Sequence, residues 1–387
     1  MTELQILLFM IAHQNRLLFT LRSPLCVQGN RYIKYSIICA FFLFFNACKG
    51  ESILRDSALF PIESVSDRKE ETLKWENCSI PLDCGLLLSA AIHDSLLINY
   101  EGGGHFFRVS SLLSGRSLGT FITKGRGPGE FINVIPFIQL SPSHGSLSSM
   151  VYDYSLKKIV NWNISASIEN DRTVLDGVFE LPRKVAAFPF FSLNNHRYSL
   201  IDTGQNNPYS FSEDMTDPPQ ILLFDFENGV TDSVTLFKPV HYPIGENVVT
   251  PKSLFSFYGC INSGKDMICL AMSYFPAVVF ADLKTKQIFA KEITGQHHST
   301  SFSSHDCFES VVASESYIYA LFSGVIRSNS PSPELKANTL YVFDWGGRLI
   351  HHYRLKKDVH RLMYDQANHY LYFYNLLTEE MWRSSMP

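Results

Sequence analysis

The side chains best suited to grip a metal ion lie in one short segment: His297 and His298, then His305, Asp306 and Cys307. Imidazole, carboxylate and thiolate are zinc ligands, yet structural zinc sites use tight paired spacings that this Ser- and Thr-rich segment lacks. It reads as a solvated loop between two sheets, with His297, His298, His305 and Asp306 kept as weak metal candidates; no other cofactor is implied. A phosphate-binding loop is the second chemistry to weigh, at Gly125-Arg126-Gly127-Pro128-Gly129-Glu130-Phe131. Such a loop needs a helix N-terminus after it to face the anion. The stretch from Phe131 to Ile138 is instead β-branched and aromatic with a proline inside, and predicts a strand. The glycine-rich residues are therefore expected to form a compact turn between two sheets. Gly supplies positive φ, Pro fixes φ at about −65°, and Arg126 and Glu130 tie the turn to its surroundings.

Other candidates are weaker. Gly102-Gly103-Gly104-His105 permits an unusual turn or the close approach of a ligand. No HExxH helix or CxxC pair is present, and nothing selects a triad from the many Ser, His and Asp residues. Cys260 and Cys269 fall opposite each other if the chain turns at Gly264-Lys265, close enough for a disulfide; the favoured reading is two small buried thiols. His351 and His352 alternate on one strand, so one points out and one packs inward.

The elements that must position these residues are strands. Aromatic residues make up 13% of the 387-residue chain and helix-favouring stretches are scarce, which points to β structure. From about residue 71 onward one unit recurs. Its second strands are read at 95–100, 148–154, 197–202, 266–273, 316–322 and 368–375. Its third strands are read at 106–110, 158–163, 221–225, 277–282, 339–344 and 380–384. Asn163, Asp225, Asp282 and Asp344 close third strands about 60 residues apart, the size of a propeller blade. Asp and Asn there hydrogen-bond their own backbone and start turns, so their recurrence argues structure over catalysis. The expected fold is all-β: a six-bladed β-propeller of four-stranded antiparallel blades over residues 71–387. The chain stops after the last third strand, so residues near 72–80 are expected to supply the missing outer strand and close the ring. Gln205–Pro219 and Ser328–Pro333 read as long exposed loops.

The N-terminal part reads as an address. Arg31 and Lys34 precede an apolar run from Tyr35 to Ala47, with Cys48 directly after it, which gives a signal peptide over residues 1–47. Residues 1–30 fit no usual basic leader region and suggest a translation start placed too far upstream. The run is shorter than the roughly 20 apolar residues a stable membrane span needs. The Phe45-Asn46-Ala47-Cys48 ending is like a lipobox, so Cys48 is expected to be acylated, with residues 48–70 as lipid anchor and tether. A net charge of −4 implies no nucleic-acid partner.

A Gly-Arg-Gly-Pro-Gly-Glu-Phe turn after the first sheet of a lipid-anchored β-protein resembles the TolB-like six-bladed β-propeller lipoproteins of Bacteroidetes. The turn matches in letters; the blades match in rhythm. The resemblance implies the fold and a cell-envelope location, at the outer membrane, facing the periplasm or the cell surface. It implies little chemistry. The expected function is a non-enzymatic binding or scaffold module for a peptide, glycan or protein partner, held to the membrane by its lipid. The rival is a metal-dependent hydrolase or lyase of the lactonase kind, with its site at the channel mouth.

Overall fold

The structure is a computed structural model that describes residues 53–66, 68–78, 85–143, 145–181, 187–193, 197–202, 214–216, 218–225, 229–241, 255–294, 305–326 and 337–386. The signal segment, Cys48, His297, His298 and most of the two long loops lie outside these residues.

Six antiparallel sheets, each built from four consecutive strands or their equivalent, form a six-bladed propeller. The inner strands are Ala90–His93, Leu140–Ser143, Ala187–Ser192, Phe257–Asn262, His305–Ala313 and Arg361–Asp365. The sequence explains why the middle strands hold. In blade four, Met267–Met272 and Ala277–Asp282 are buried almost throughout, because both faces of the sheet meet a neighbouring blade. Period-two alternation then divides their side chains between two cores. Leu270, Met272, Val279 and Ala281 face blade three, while Cys269, Ala271, Val278 and Phe280 face blade five. The same division recurs around the ring. Six apolar clusters fill the six interfaces between adjacent blades, including the one that joins blade six to blade one through Ile92, Leu97, Tyr372 and Met381. An outer strand such as Leu175–Glu180 alternates instead, since one face meets water.

Closure takes the expected route. Glu76–Cys78 pairs antiparallel with Met381–Ser385 and supplies the outer strand of blade six. Trp75 packs tilted against Phe373 with ring centres 4.7 Å apart and edge-on to Trp382 at 5.7 Å, so the closing segment is held by rings as well as by its ladder.

Three expectations change. Residues 53–66, assigned to the tether, belong to the disc. A helix at Ile53–Ser57 buries Leu54 fully between blades three and four, and Ile62–Ser66 adds a fifth, parallel strand to blade four. Phe131 to Ile138 is no strand: it makes single bridges at Phe131 and Val134, and Pro136 lies within it. The hairpin of blade four turns through four residues, Ser263 to Asp266, rather than two, which leaves the register of Cys260 against Cys269 unchanged.

Asn163 does more than start a turn. Its side chain accepts the Ala166 N–H at 2.9 Å and caps a helix, Ile164–Asn170, that links the third and fourth strands of blade two. Asp282 accepts the N–H groups of Lys284 and Thr285, and Asp344 that of Arg348.

Candidate functional site

In a blade of four consecutive antiparallel strands, the turn between the second and third strands lies at the same end as the link to the next blade. That end therefore gathers Gly102–Gly104 of blade one, the link 124–139 between blades one and two, Tyr154–Lys157 of blade two, Asn375–Glu380 of blade six and the approach to blade one at 85–89.

The glycine-rich link is a fixed structure. Gly125 N–H donates to the Phe131 carbonyl at 2.9 Å, and Phe131 N–H donates to the Thr123 carbonyl at 3.0 Å, so the loop closes on itself. The Glu130 carboxylate turns inward and accepts Gly127 N–H at 2.6 Å. A Cβ on Gly125 would overlap that carboxylate and force it aside, whereas Gly129 sits at φ +82°, so the two positions favour glycine for separate reasons. Phe131 is buried beneath Lys158, whose ammonium stands 4.4 Å from the ring centre. Arg126 stays exposed and Lys124 N–H donates to the Gly104 carbonyl, which brings the triple-glycine turn against the link. The glycine-rich stretch is thus a turn that ties within itself through Glu130, with no helix after it to face an anion.

Asp153 fixes the next part. Fully buried at the end of the second strand of blade two, its carboxylate accepts the N–H groups of Ile132, Asn133, Ser155 and Leu156 at 2.5, 3.3, 2.9 and 3.0 Å. One side chain therefore holds both the link and the Tyr154–Lys157 turn. Tyr100 adds a bond from its hydroxyl to the Val134 carbonyl at 3.2 Å. Burial, and then the neighbouring Tyr154, push the Tyr100 phenol above its ordinary range and keep it a donor. On blade six, Asn375 accepts the N–H groups of Leu377 and Thr378, while Arg361 donates to the carbonyls of Leu88 and His360.

These ordered loops present apolar side chains to solvent. Leu86, Leu88, Tyr154, Leu156 and Leu377 are 43 to 78% exposed. They spread over the end that blades six, one and two share. No periodicity marks them, because an exposed leucine in a loop looks like any other in the sequence.

His305 and Asp306 open the inner strand of blade five, opposite Ile326 and Val325. Cys307 beside them is buried in the core between blades four and five, and His297 and His298 lie outside the described residues. His352 packs on Tyr341 and its Nδ1 lies 3.0 Å from the Arg68 carbonyl, while His351 pairs with Glu71 at 3.0 Å. The alternation expected of this pair holds.

Cys260 and Cys269 are direct partners, and both are buried thiols. Ser273 N–H donates to the Ser256 carbonyl in the same ladder, so by alternation 260 and 269 are also a hydrogen-bonded pair. Cβ atoms in such pairs stand at the wide end of about 4.5–5.5 Å, whereas a disulfide needs roughly 3.5–4.5 Å. Burial, and next a hydrogen bond with Cys260, raises the Cys269 thiol well above its ordinary value.

Sequence reasoning missed one motif. The pattern Gly-x-Ser-x-Gly, the mark of a nucleophile elbow, occurs at Gly115-Arg116-Ser117-Leu118-Gly119. An elbow needs a strand-to-helix turn. Ser117 instead opens the outer strand of blade one, Ser117–Thr123, and its hydroxyl accepts from Arg108 at 3.3 Å.

No protein-family model matches the chain, and no curated protein matches it. Solved structures do. A member of the DUF4221 family from Bacteroides vulgatus aligns over 82% of this chain and 97% of its own, at 11% identity and a TM-score of 0.53. A candidate exported protein from Bacteroides fragilis aligns over 81% of this chain and 88% of its own, at 11% identity and a TM-score of 0.48. At this identity, the first of these likenesses shows a shared fold.

Proposed function

We propose that the chain is an extracytoplasmic binding module, anchored by a lipid on Cys48, that captures a peptide or protein segment through apolar side chains at one end of the propeller. A kinship with TolB-like envelope propellers belongs to the same proposal. One observation carries it: Leu86, Leu88, Tyr154, Leu156 and Leu377 are exposed on loops whose backbones are already tied down. Apolar side chains held out to solvent at one end of the propeller offer a surface for a partner. Loops fixed in advance lower the ordering cost of binding. The polar residues nearby serve the loops: Asp153, Asn375 and Arg361 direct their hydrogen bonds to backbone groups.

The test is a pull-down of the full-length acylated protein from outer membranes, run beside the double variant Leu88→Asp, Leu377→Asp. A partner retained by the wild type and lost by the variant supports the reading. A partner held equally by both, or none held by either, rejects it.

A further inference from the structure

We propose that the rim between blades three and four is the edge of the disc held against the lipid bilayer. This rests on the reading of Cys48 as the acylated residue. Only four residues, Lys49 to Ser52, separate Cys48 from the helix Ile53–Ser57. Five residue steps of a fully extended chain span at most roughly 18 Å.

The near end of that span is fastened firmly. Leu54 is fully buried among Phe191, Phe237 and Leu270, side chains of blades three and four. Arg55 pairs with Glu292 of blade four and donates to Ser64 at 2.9 Å. Lys238 N–H donates to the Ser57 carbonyl at 2.7 Å, and Leu59 N–H to the Leu236 carbonyl at 3.1 Å. The strap then runs along the rim in one direction: Ile62–Ser66 on blade four, Glu71 beside Tyr353 on blade five, Glu76–Cys78 in blade six. A lipid on Cys48 therefore pulls on blades three and four and on no other part of the ring. In a six-membered ring blade one stands across from blade four and is the part furthest from the membrane.

The full-length acylated protein is placed in vesicles of phosphatidylethanolamine and phosphatidylglycerol that carry an acceptor-labelled lipid. A fluorescent amino acid serves as donor at Lys238, exposed beside the strap, or at Leu113, 86% exposed on blade one. Energy transfer from Lys238 is expected to be clearly the greater. A Gly/Ser insert of about 20 residues after Gly50, reaching roughly 25 Å as a coil, should bring the two values together. Equal transfer from both sites in the vesicle-bound parent protein overturns the inference while leaving acylation standing. A protein that stays off the vesicles and has an unmodified mass at Cys48 overturns both.

Discussion

The carboxylate of Glu130 fills the space that a side chain on Gly125 would need, and from there it accepts the Gly127 N–H. The two residues are therefore coupled. Gly125→Ala should force Glu130 out and cost about 1–3 kcal/mol, through a lost charge-assisted bond and a displaced loop. In a Glu130→Ala background the same substitution should cost much less. Urea unfolding of the four proteins in the cycle measures the difference; purely additive costs would refute the coupling.

Asp153 is the single side chain under two loops. Asp153→Ala leaves four backbone donors without their acceptor and should cost about 3–5 kcal/mol. Asp153→Asn keeps one acceptor oxygen and should fall between. A denaturant midpoint unmoved by Asp153→Ala would show that the link holds itself.

Much of this architecture was legible. The strands Lys158–Asn163, Arg197–Asp202 and Ala277–Asp282 match their sequence-based bounds at both ends. Each is β-branched or aromatic and ends in Asp or Asn, so burial and turn chemistry agree there. The strap was not legible. Ile62–Ser66 alternates weakly, with two half-buried positions, and its strand partner lies 228 residues away at the Glu63–Lys291 pair. Nothing local encodes such a contact. The exposed leucines of the candidate site escaped for the opposite reason: their environment, not their type, sets them apart.

The four described cysteines, Cys78, Cys260, Cys269 and Cys307, should all be found as thiols. Cys260, Cys269 and Cys307 are buried, and the raised Cys269 thiol offers little thiolate to an alkylating reagent. Intact mass after alkylation should show those three unmodified in the native protein and modified after denaturation without reductant. A pair recovered only after reduction would show that the ladder had distorted to bridge Cys260 and Cys269.

Asp282 gives a pH dependence. Partial burial pushes its carboxyl up, but the N–H groups of Thr285 and Lys284, the Thr285 hydroxyl and the Lys284 charge outweigh that and hold it below the ordinary range. A carboxyl lowered on folding adds stability that is complete above its unfolded value of about 4 and lost as pH falls through the folded value. Asp282→Ala should therefore lose stability at pH 7 and lose less than the parent on going to pH 3. Parallel acid limbs for the two proteins would contradict this.

The strand that completes the last blade comes from far upstream in the chain: Glu76 meets Arg383 across 307 positions. The ring cannot shut until Met381–Ser385 is in place, so residues 76–78 find their partner only when the sixth blade forms. Any chain lacking Met381–Ser385 would leave the edges of Glu76–Cys78 and Tyr370–Tyr374 open to other chains. A propeller closed in this way is complete only when these two segments have met.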